Sequence, residues 1–317
     1  MDIRDFGRLG RISALTLGGG GIAGVWGTTD RAEAVATIRA ALDAGITMLD
    51  LAPAYGIGAE SERAAGEALR PSDDVMITTK VQLPDDTERD FEGRIRRSLA
   101  ASLSRIGRDR IDLLLLHTHL RPRDGSPSGT NLLGWDAYRD AVLPVFAQLV
   151  DEGLIRGWGI TAVGHPAPVL DALRTAPRPD AAQIVVNALD TPGDLWGFDG
   201  VAPENPALLA AAGANGVAVI GIRAVAAGSL TSGLDRPVPA GHPAAADFAR
   251  AEPFRKLAAS VGETPSMLAH RYALSVPGVA TVVLGVKNRA ELAECVEAEA
   301  RGPLSAAEMA AVEAVRR

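Results

Sequence analysis

Apolar runs and amphipathic stretches alternate along most of the chain. In residues 31–44 the apolar positions recur at the spacing of one helical face, and Gly45 follows as a helix stop. The apolar run 47–51 comes next and predicts a strand, and the same order then repeats. The predicted helices cover residues 31–44, 60–69, 88–106, 138–151, 168–173, 205–212 and 265–274. The predicted strands cover residues 14–17, 47–51, 75–79, 111–116, 157–161, 182–186, 217–222 and 281–284.

Several predicted strands are apolar on both faces. Residues 113–116 and 217–220 lack the alternation of a half-exposed strand, which is typical of a parallel sheet covered on both sides. Eight such units without a compositional break predict an α/β protein, a single (β/α)8 TIM barrel spanning residues 1–317. Residues 5–12 predict an N-terminal β-hairpin ahead of it. An open, doubly wound sheet with the same alternation remains the alternative architecture.

Three connections that follow predicted strands are long. Residues 118–135, 190–204 and 226–247 exceed the two to six residues that are usual for this architecture. In a barrel, the loops at the C-terminal face of the strands surround the active site. We therefore expect these three loops to shape a binding pocket, although tolerated surface insertions would have the same length.

Composition and charge narrow the class of protein. Hydrophobic residues make up 47% of the chain, and 32 basic against 39 acidic residues give a net charge of −7. No overall positive field attracts nucleic acid or anionic lipid. The charged start lacks an apolar signal segment, and the apolar stretch 207–230 is broken by Asn215, Arg223 and several glycines. We expect a cytoplasmic protein without a membrane span, and the oligomeric state stays open.

Cys295 is the only cysteine. This count excludes an intrachain disulfide and a cysteine-based zinc cluster, and no metal site is expected. Cys295 lies in a stretch of helical character, where a lone cysteine is typical of core packing.

Ionisable residues stand at the ends of three predicted strands. Asp50, Lys80 and His117 each occupy the same end of their strand, and Tyr55 follows Asp50 by five residues in a turn that contains proline and glycine. Any one of them alone is more typical of a structural ion pair or a satisfied core histidine. Together they are predicted to meet at one mouth of the barrel.

These four side chains suit the reduction of a carbonyl group. A phenol has a pKa of about 10, which is too high for an efficient acid at neutral pH. We expect the ammonium of Lys80 to lower the pKa of Tyr55, and Asp50 to keep Lys80 charged. His117 would hold the carbonyl oxygen near the phenol by a hydrogen bond.

The sequence resembles the aldo-keto reductase superfamily along essentially its whole length. The family's aspartate, tyrosine, lysine and histidine fall on Asp50, Tyr55, Lys80 and His117, with gaps of 5, 25 and 37 residues. Residues 111–117 and 153–161 are similar to the family's sequence motifs around its fourth and fifth strands. This resemblance implies hydride transfer between a nicotinamide cofactor and a carbonyl carbon, with Tyr55 as proton donor.

The resemblance also implies where NADPH binds. Thr161 and Gln183 hold the carboxamide, and a belt over the pyrophosphate corresponds to Gly228, Ser229, Leu230 and Thr231. Further contacts are implied at Gly20, Ile222, Arg223, Gly285, Lys287, Asn288 and Arg289. Of these, Lys287 and Arg289 supply the positive charge that suits the extra ribose phosphate of NADPH. The glycine run 18–21 itself fits no dinucleotide fingerprint. Trp26 and Trp196 are candidate walls of the substrate pocket, and packing roles explain both equally well.

The chain departs from the family pattern on the cofactor side. Leu51 and Ala162 replace a threonine and an asparagine, so the carboxamide loses one clamp, worth roughly 1 kcal/mol. Ile222 replaces the aromatic residue that commonly stacks on the nicotinamide, and Cys295 replaces an adenine-side asparagine. The four catalytic positions are unaffected.

Two other functions remain open at this point. One is a barrel that binds NADPH as a sensor or regulatory subunit with negligible turnover. The other is an isomerase or lyase that uses Lys80 as a Schiff-base amine and Asp50 as a base.

Overall fold

The structure, a computed structural model, describes residues 1–86, 89–125, 130–234, 236–239 and 241–316. The first two strands form an N-terminal hairpin, and two further short strands lie in the loop between the fourth and fifth barrel strands. The strands are β1 (Ile3–Asp5), β2 (Arg11–Ser13), β3 (Leu15–Gly18), β4 (Met48–Asp50), β5 (Met76–Val81), β6 (Ile111–Leu116), β7 (His119–Arg121), β8 (Leu132–Gly134), β9 (Ile155–Thr161), β10 (Ala181–Val185), β11 (Ala218–Ile222) and β12 (Val279–Leu284).

Eight parallel strands close into a barrel. Each barrel strand pairs with the next one along the chain, in the order β3, β4, β5, β6, β9, β10, β11 and β12, and β12 returns to pair with β3. The predicted (β/α)8 barrel is therefore confirmed, and the open doubly wound sheet is wrong. Because all eight strands run the same way, their carboxyl ends form one rim.

Helices cover the outside of the barrel. They are α1 (Gly19–Ile22), α2 (Arg31–Asp43), α3 (Glu60–Ala68), α4 (Phe91–Ile106), α5 (Trp135–Ala137), α6 (Leu143–Asp151), α7 (Pro166–Arg174), α8 (Asn205–Ala214), α9 (Pro243–Arg250), α10 (Glu252–Ser260), α11 (Pro265–Ser275), α12 (Arg289–Ala300) and α13 (Ala306–Ala314). The predicted helices match elements in this set to within a few residues. Glu88, the predicted start of one of them, lies outside the described residues, and that helix begins at Phe91.

The N-terminal hairpin closes the end of the barrel opposite the rim. Strands β1 and β2 pair antiparallel, as predicted. Phe6, Leu9 and Ile12 are buried and belong to the same apolar cluster as Met48 and Leu113 of the barrel strands. With this end filled by side chains, the carboxyl rim is the open end of the barrel.

Parts of the segments predicted as plain loops are ordered structure. Within 118–135, β7 and β8 form a two-stranded parallel sheet, and within 226–247 the helix α9 begins. The glycine run divides between β3 and α1. A Cβ on Gly21 would lie 2.1 Å from the carbonyl oxygen of Val286, so the close approach of these two segments requires glycine.

The helices were also compared with the requirements of a membrane span. Within the described ranges, no helix combines the length and the apolar character needed to cross a bilayer.

Candidate active site

The four predicted catalytic residues meet at the carboxyl rim. Asp50 is the last residue of β4, Lys80 lies near the end of β5, and His117 directly follows β6. The Nζ of Lys80 donates to Oδ1 of Asp50 over 2.8 Å and lies 4.7 Å from the centre of the Tyr55 ring. The rings of Tyr55 and His117 meet edge to face with their centres 5.6 Å apart. The structure thus brings together residues that span 67 positions of the chain (117 minus 50).

The turn that carries Tyr55 is anchored at both ends. The backbone N–H of Tyr55 donates to the carbonyl oxygen of Ala52, and Ser61 of α3 donates to the carbonyl oxygen of Tyr55. Gly56 has a φ of +76°, and a Cβ there would lie 2.7 Å from the carbonyl oxygen of Ala23. A glycine is needed at this close, left-handed position, which fixes where the phenol can lie.

Lys80 and Asp50 form a buried ion pair. Their exposed fractions are 1% and 2%, and Lys80 also donates to the carbonyl oxygen of Leu51 over 2.9 Å. Burial works against the charge of Lys80, but the Asp50 carboxylate and the Tyr55 phenol outweigh it, so the pKa of Lys80 lies above its usual value. Lys80 is therefore an ammonium at neutral pH.

The pKa of the Tyr55 phenol is shifted in the direction opposite to the one expected from the sequence. Burial raises the pKa of Tyr55 above that of an ordinary phenol, and the opposing effect of Lys80 does not offset it. The predicted net lowering is therefore wrong for this state of the protein. The consequence is a phenol that carries its proton at neutral pH and has a cation beside it to stabilise the phenolate once the proton leaves.

His117 is a neutral imidazole. Burial, together with the charges of Lys80 and His119, lowers the pKa of His117 to about 3. His119, on β7, has its pKa lowered to about 4 by burial and by Arg223. A neutral His117 can donate one hydrogen bond to a carbonyl oxygen without adding a positive charge to the mouth.

The lowered pKa of His117 makes stability depend on pH. In the unfolded chain this histidine titrates at about 6.5, whereas the folded chain holds it neutral until about pH 3. Stability present above pH 6.5 is therefore lost as the pH falls from about 6.5 towards about 3. We expect denaturant unfolding at pH 7.5 and 5.0 to show a loss that is larger in the wild type than in His117→Gln, by roughly 1–2 kcal/mol. Equal losses in the two proteins would contradict this assignment.

Thr161 and Gln183 lie together at the ends of neighbouring strands. The Nε2 of Gln183 donates to Oδ1 of Asp50 over 3.0 Å, and Thr161 donates to Oε1 of Gln183 over 3.4 Å. Both side chains are buried, and the chain of hydrogen bonds ends on the same carboxylate that holds Lys80. The amide is thereby oriented, with the capacity for a further hydrogen bond left on its oxygen and on the hydroxyl.

Ile222 is the last residue of β11, and Arg223, which follows it, has an unusual backbone conformation. Its φ is +62°, a left-handed conformation that is uncommon for a side chain of this size. The guanidinium donates to Oδ1 of Asp194 over 2.6 Å, and Nε2 of His242 lies 4.0 Å from the other oxygen of Asp194. Asp194 thus connects two of the long rim loops. Nothing in the local sequence pattern marks Asp194, so its contacts are not predictable from the sequence.

Trp26 and Trp196 have different surroundings. The indole of Trp26 lies 5.4 Å from the guanidinium carbon of Arg223 and 5.1 Å from that of Arg236. It also covers Gly20 and Gly285, where an added Cβ would lie 3.2 and 3.4 Å from the indole. The Nε1 of Trp196 instead donates to the carbonyl oxygens of Phe198 and Val201, within its own loop.

The residues of the predicted belt differ in accessibility. Ser229 and Leu230 are fully buried, and the Ser229 hydroxyl donates to the carbonyl oxygen of Ala244. Gly228 and Thr231 are partly exposed. Just before them Ala227 has a φ of +54°, a strained conformation at the edge of the mouth.

The predicted adenosine end lies at the start of α12, next to Gly285. Asn288 caps the helix by accepting from the Glu291 backbone over 2.9 Å. The Nζ of Lys287 lies 2.7 Å from Glu291, and Arg289 lies 2.9 Å from Glu33. Both predicted cations therefore already have carboxylate partners.

The side chain of Cys295 packs in the hydrophobic core, as its sequence context predicts. It is 2% exposed in α12, and its Sγ lies 3.7 Å from Nε2 of the buried His270. The correspondence of Cys295 with an adenine-side asparagine stays a prediction.

The sequence and fold were compared with those of known proteins. Residues 14–317 match the profile of the Aldo/keto reductase family. The chain is 41% identical over 163 residues to the aldo-keto reductase YhdN of Bacillus subtilis, a match that covers 47% of this chain and 43% of the relative. It is 32% identical over 193 residues to D-threo-aldose 1-dehydrogenase of a Pseudomonas species, covering 53% of this chain and 54% of the relative. Each of these two matches therefore spans only about half of the relative.

The fold also matches a solved structure over its whole length. An aldo-keto reductase from Bacillus halodurans in its holo form has a TM-score of 0.76, covering 100% of this chain and 97% of that one. The two sequences are 22% identical, so this likeness concerns the fold alone.

Proposed function

The chain belongs to the aldo/keto reductase family, and from this premise we propose that it is a nicotinamide-dependent oxidoreductase acting on aldehydes, ketones or open-chain sugars. The observation that carries the proposal is the cluster at the rim. A phenol lies beside an ammonium held by a buried carboxylate, and a neutral imidazole meets the phenol edge to face. The phenol can act as the acid that protonates a carbonyl oxygen, and the imidazole can orient that oxygen.

The residues around the mouth fit a nicotinamide nucleotide. The amide of Gln183 and the hydroxyl of Thr161 offer hydrogen bonds to a carboxamide beside Asp50. Gly20 and Gly285 have no side chains of their own, and the indole of Trp26 packs against both positions, so Trp26 is the side chain that a bound nucleotide would contact there. Cationic side chains follow along the same edge, at Arg223 and at the start of α12. Each of these cations already pairs with a carboxylate, so an anionic nucleotide would share them with Asp194, Glu291 and Glu33.

Each catalytic side chain has one task in the proposed reduction. When bound, the reduced nicotinamide supplies the hydride for the carbonyl carbon. Tyr55 gives its proton to the carbonyl oxygen as negative charge develops there, and Lys80 stabilises the phenolate that remains. His117 donates a hydrogen bond that holds the oxygen within reach of the phenol. Solvent then returns a proton to Tyr55, and the opposite sequence of steps oxidises an alcohol.

The state of Lys80 argues against Schiff-base chemistry. An amine must lose its proton to attack a carbonyl carbon. The Asp50 carboxylate and the Tyr55 phenol keep the pKa of Lys80 above its usual value, so the neutral amine is scarce. The side chain is also tied to two acceptors at 2.8 and 2.9 Å.

NADPH is the cofactor that we propose, on the basis of Lys287, Asn288 and Arg289 at the start of α12. The N-terminus of this helix and two cations favour an anion such as the ribose phosphate. The name of the Pseudomonas relative points to aldoses as one substrate class to examine.

A cofactor and substrate panel tests this function. We expect purified protein to oxidise NADPH with at least one aldehyde, aldose or ketone, with higher kcat/KM for NADPH than for NADH. The measurement is the loss of cofactor absorbance at saturating carbonyl. Tight NADPH binding without turnover on any carbonyl would favour the sensor instead, and equal or better efficiency with NADH would refute the cofactor assignment.

A further inference from the structure

Glu33 makes three contacts with one residue at the start of α12. It lies in the first turn of α2, 256 positions away from Arg289. Its Oε1 accepts from the backbone N–H of Arg289 over 2.9 Å and from Nε over 3.1 Å. Its Oε2 accepts from Nη2 over 2.9 Å. One carboxylate therefore accepts hydrogen bonds both from the guanidinium and from a backbone N–H at the helix N-terminus.

These donors are the ones that a phosphate would use. A helix N-terminus offers free backbone N–H groups and a positive dipole end, and a guanidinium binds two oxygens of one anion in a fork. Hydrogen bonds from Arg289, first by its side chain and then by its backbone, hold the pKa of Glu33 below its usual value. The protein's own carboxylate is thus ionised and lies in the position of an anionic ligand.

Lys287 provides a useful contrast. Its partner Glu291 belongs to the same helix, four residues along the chain, and also accepts from the Lys287 backbone over 2.9 Å. That contact is local to the first turn of α12, because both residues belong to the same end of the helix. Glu33 comes from a different helix, α2, and contacts Arg289 from outside α12.

We propose that Glu33 is a specificity-determining residue that limits the preference for NADPH by competing with the ribose 2′-phosphate for Arg289. The inference rests on the proposed function, because it assumes that the adenosine end of the cofactor binds at the start of α12. A 2′-phosphate must displace the Glu33 carboxylate and is repelled by it. A 2′-hydroxyl carries no charge and can donate a hydrogen bond to the same carboxylate, as acidic residues do in sites that select NADH.

The variant Glu33→Gln tests this proposal, since it removes the charge and keeps the size of the side chain. We expect the KM for NADPH to fall about fivefold, an effect in the range of exposed ion pairs, while the KM for NADH does not fall and kcat stays unchanged. Isothermal titration should show the same gain for adenosine 2′,5′-bisphosphate and none for adenosine 5′-monophosphate. In an Arg289→Ala background, Glu33→Gln should give a clearly smaller gain, because the contested guanidinium is gone and only the backbone N–H of residue 289 is left.

A matched control is available on the other side of the barrel. Glu152 forms a two-pronged pair with Arg96 that is also partly exposed, with both distances 2.7 Å. Glu152→Gln makes the same change in net charge, so it should leave the ratio of the two cofactors unchanged. Glu33→Asp keeps the charge on a shorter side chain and should give an intermediate gain, which preserves the test if Glu33→Gln fails to fold.

The outcomes separate this inference from the function on which it rests. Unchanged or weaker binding of the bisphosphate in Glu33→Gln, or an equal gain for both nucleotides, would overturn the role of Glu33. Carbonyl reduction by the wild type would then still stand. Conversely, a selective gain in bisphosphate binding without any carbonyl turnover would support the proposed role of Glu33 and reject the proposed reductase function.

Discussion

Replacing Tyr55 by phenylalanine is expected to lower kcat for carbonyl reduction about a thousandfold, the scale of a lost general acid. The variant removes one hydroxyl and leaves the ring that contacts His117 and covers Lys80. The ion pair between Lys80 and Asp50 does not depend on that hydroxyl. Steady-state turnover with a good carbonyl substrate measures the loss.

Cofactor binding provides the control for this variant. No contact of Thr161, Gln183 or Arg289 involves the phenol hydroxyl, so the dissociation constant for NADPH should change less than twofold in Tyr55→Phe. Retained turnover near the wild-type rate would reject Tyr55 as the proton donor. A parallel collapse of NADPH binding would indicate that the turn had lost its structure, and a circular dichroism spectrum distinguishes the two cases.

Lys80→Met should damage both turnover and folding. The methionine fills a similar volume but leaves the Asp50 carboxylate buried, with the amide of Gln183 still donating to it. Removing one partner of a buried ion pair typically costs about 3–5 kcal/mol of unfolding free energy. Turnover should fall by at least about a hundredfold, because the phenolate of Tyr55 loses its adjacent cation.

A double variant separates these two effects. In Asp50→Asn combined with Lys80→Met, the uncompensated charge disappears, so denaturant unfolding should recover most of the lost stability. Turnover should stay low, because the ammonium beside the phenol is still missing. A double variant with restored turnover would show that Lys80 serves only to pair with Asp50.

Periodicity was sufficient to locate the barrel. Parallel strands covered on both faces give short apolar runs, and the surrounding helices show one apolar face, so the order of elements could be read directly. The strand ends then placed Asp50, Lys80 and His117 on one rim. The same reasoning missed α9, for which Pro243 after the capping His242 was the available signal. That helix buries a single alanine, so its apolar pattern is weak.

The cofactor side was harder to predict, because its contacts join distant loops. The position of the strand predicts that Arg223 lies at the rim. It does not predict that Asp194 accepts a hydrogen bond from the guanidinium. The cations Lys287 and Arg289 could be counted from the sequence, whereas the pairing of Arg289 with Glu33 depends on how two helices approach each other. The pKa of Tyr55 was predicted in the wrong direction for a similar reason. The effect of Lys80 follows from proximity, but the opposing effect of burial depends on everything packed around the phenol.

The pairing of the last barrel strand with the first has a consequence for synthesis of the chain. All four predicted catalytic residues have been synthesised once the ribosome has passed residue 117, yet β3 lacks one neighbour until β12 has emerged. The hydroxyls of Thr16 and Thr281, 2.7 Å apart across this seam, belong to residues separated by 265 positions. Until translation reaches that point, the growing polypeptide exposes a bare strand edge of the kind that recruits other chains. Protection of the nascent chain is therefore most needed after its predicted catalytic residues have been synthesised and before β12 has paired with β3.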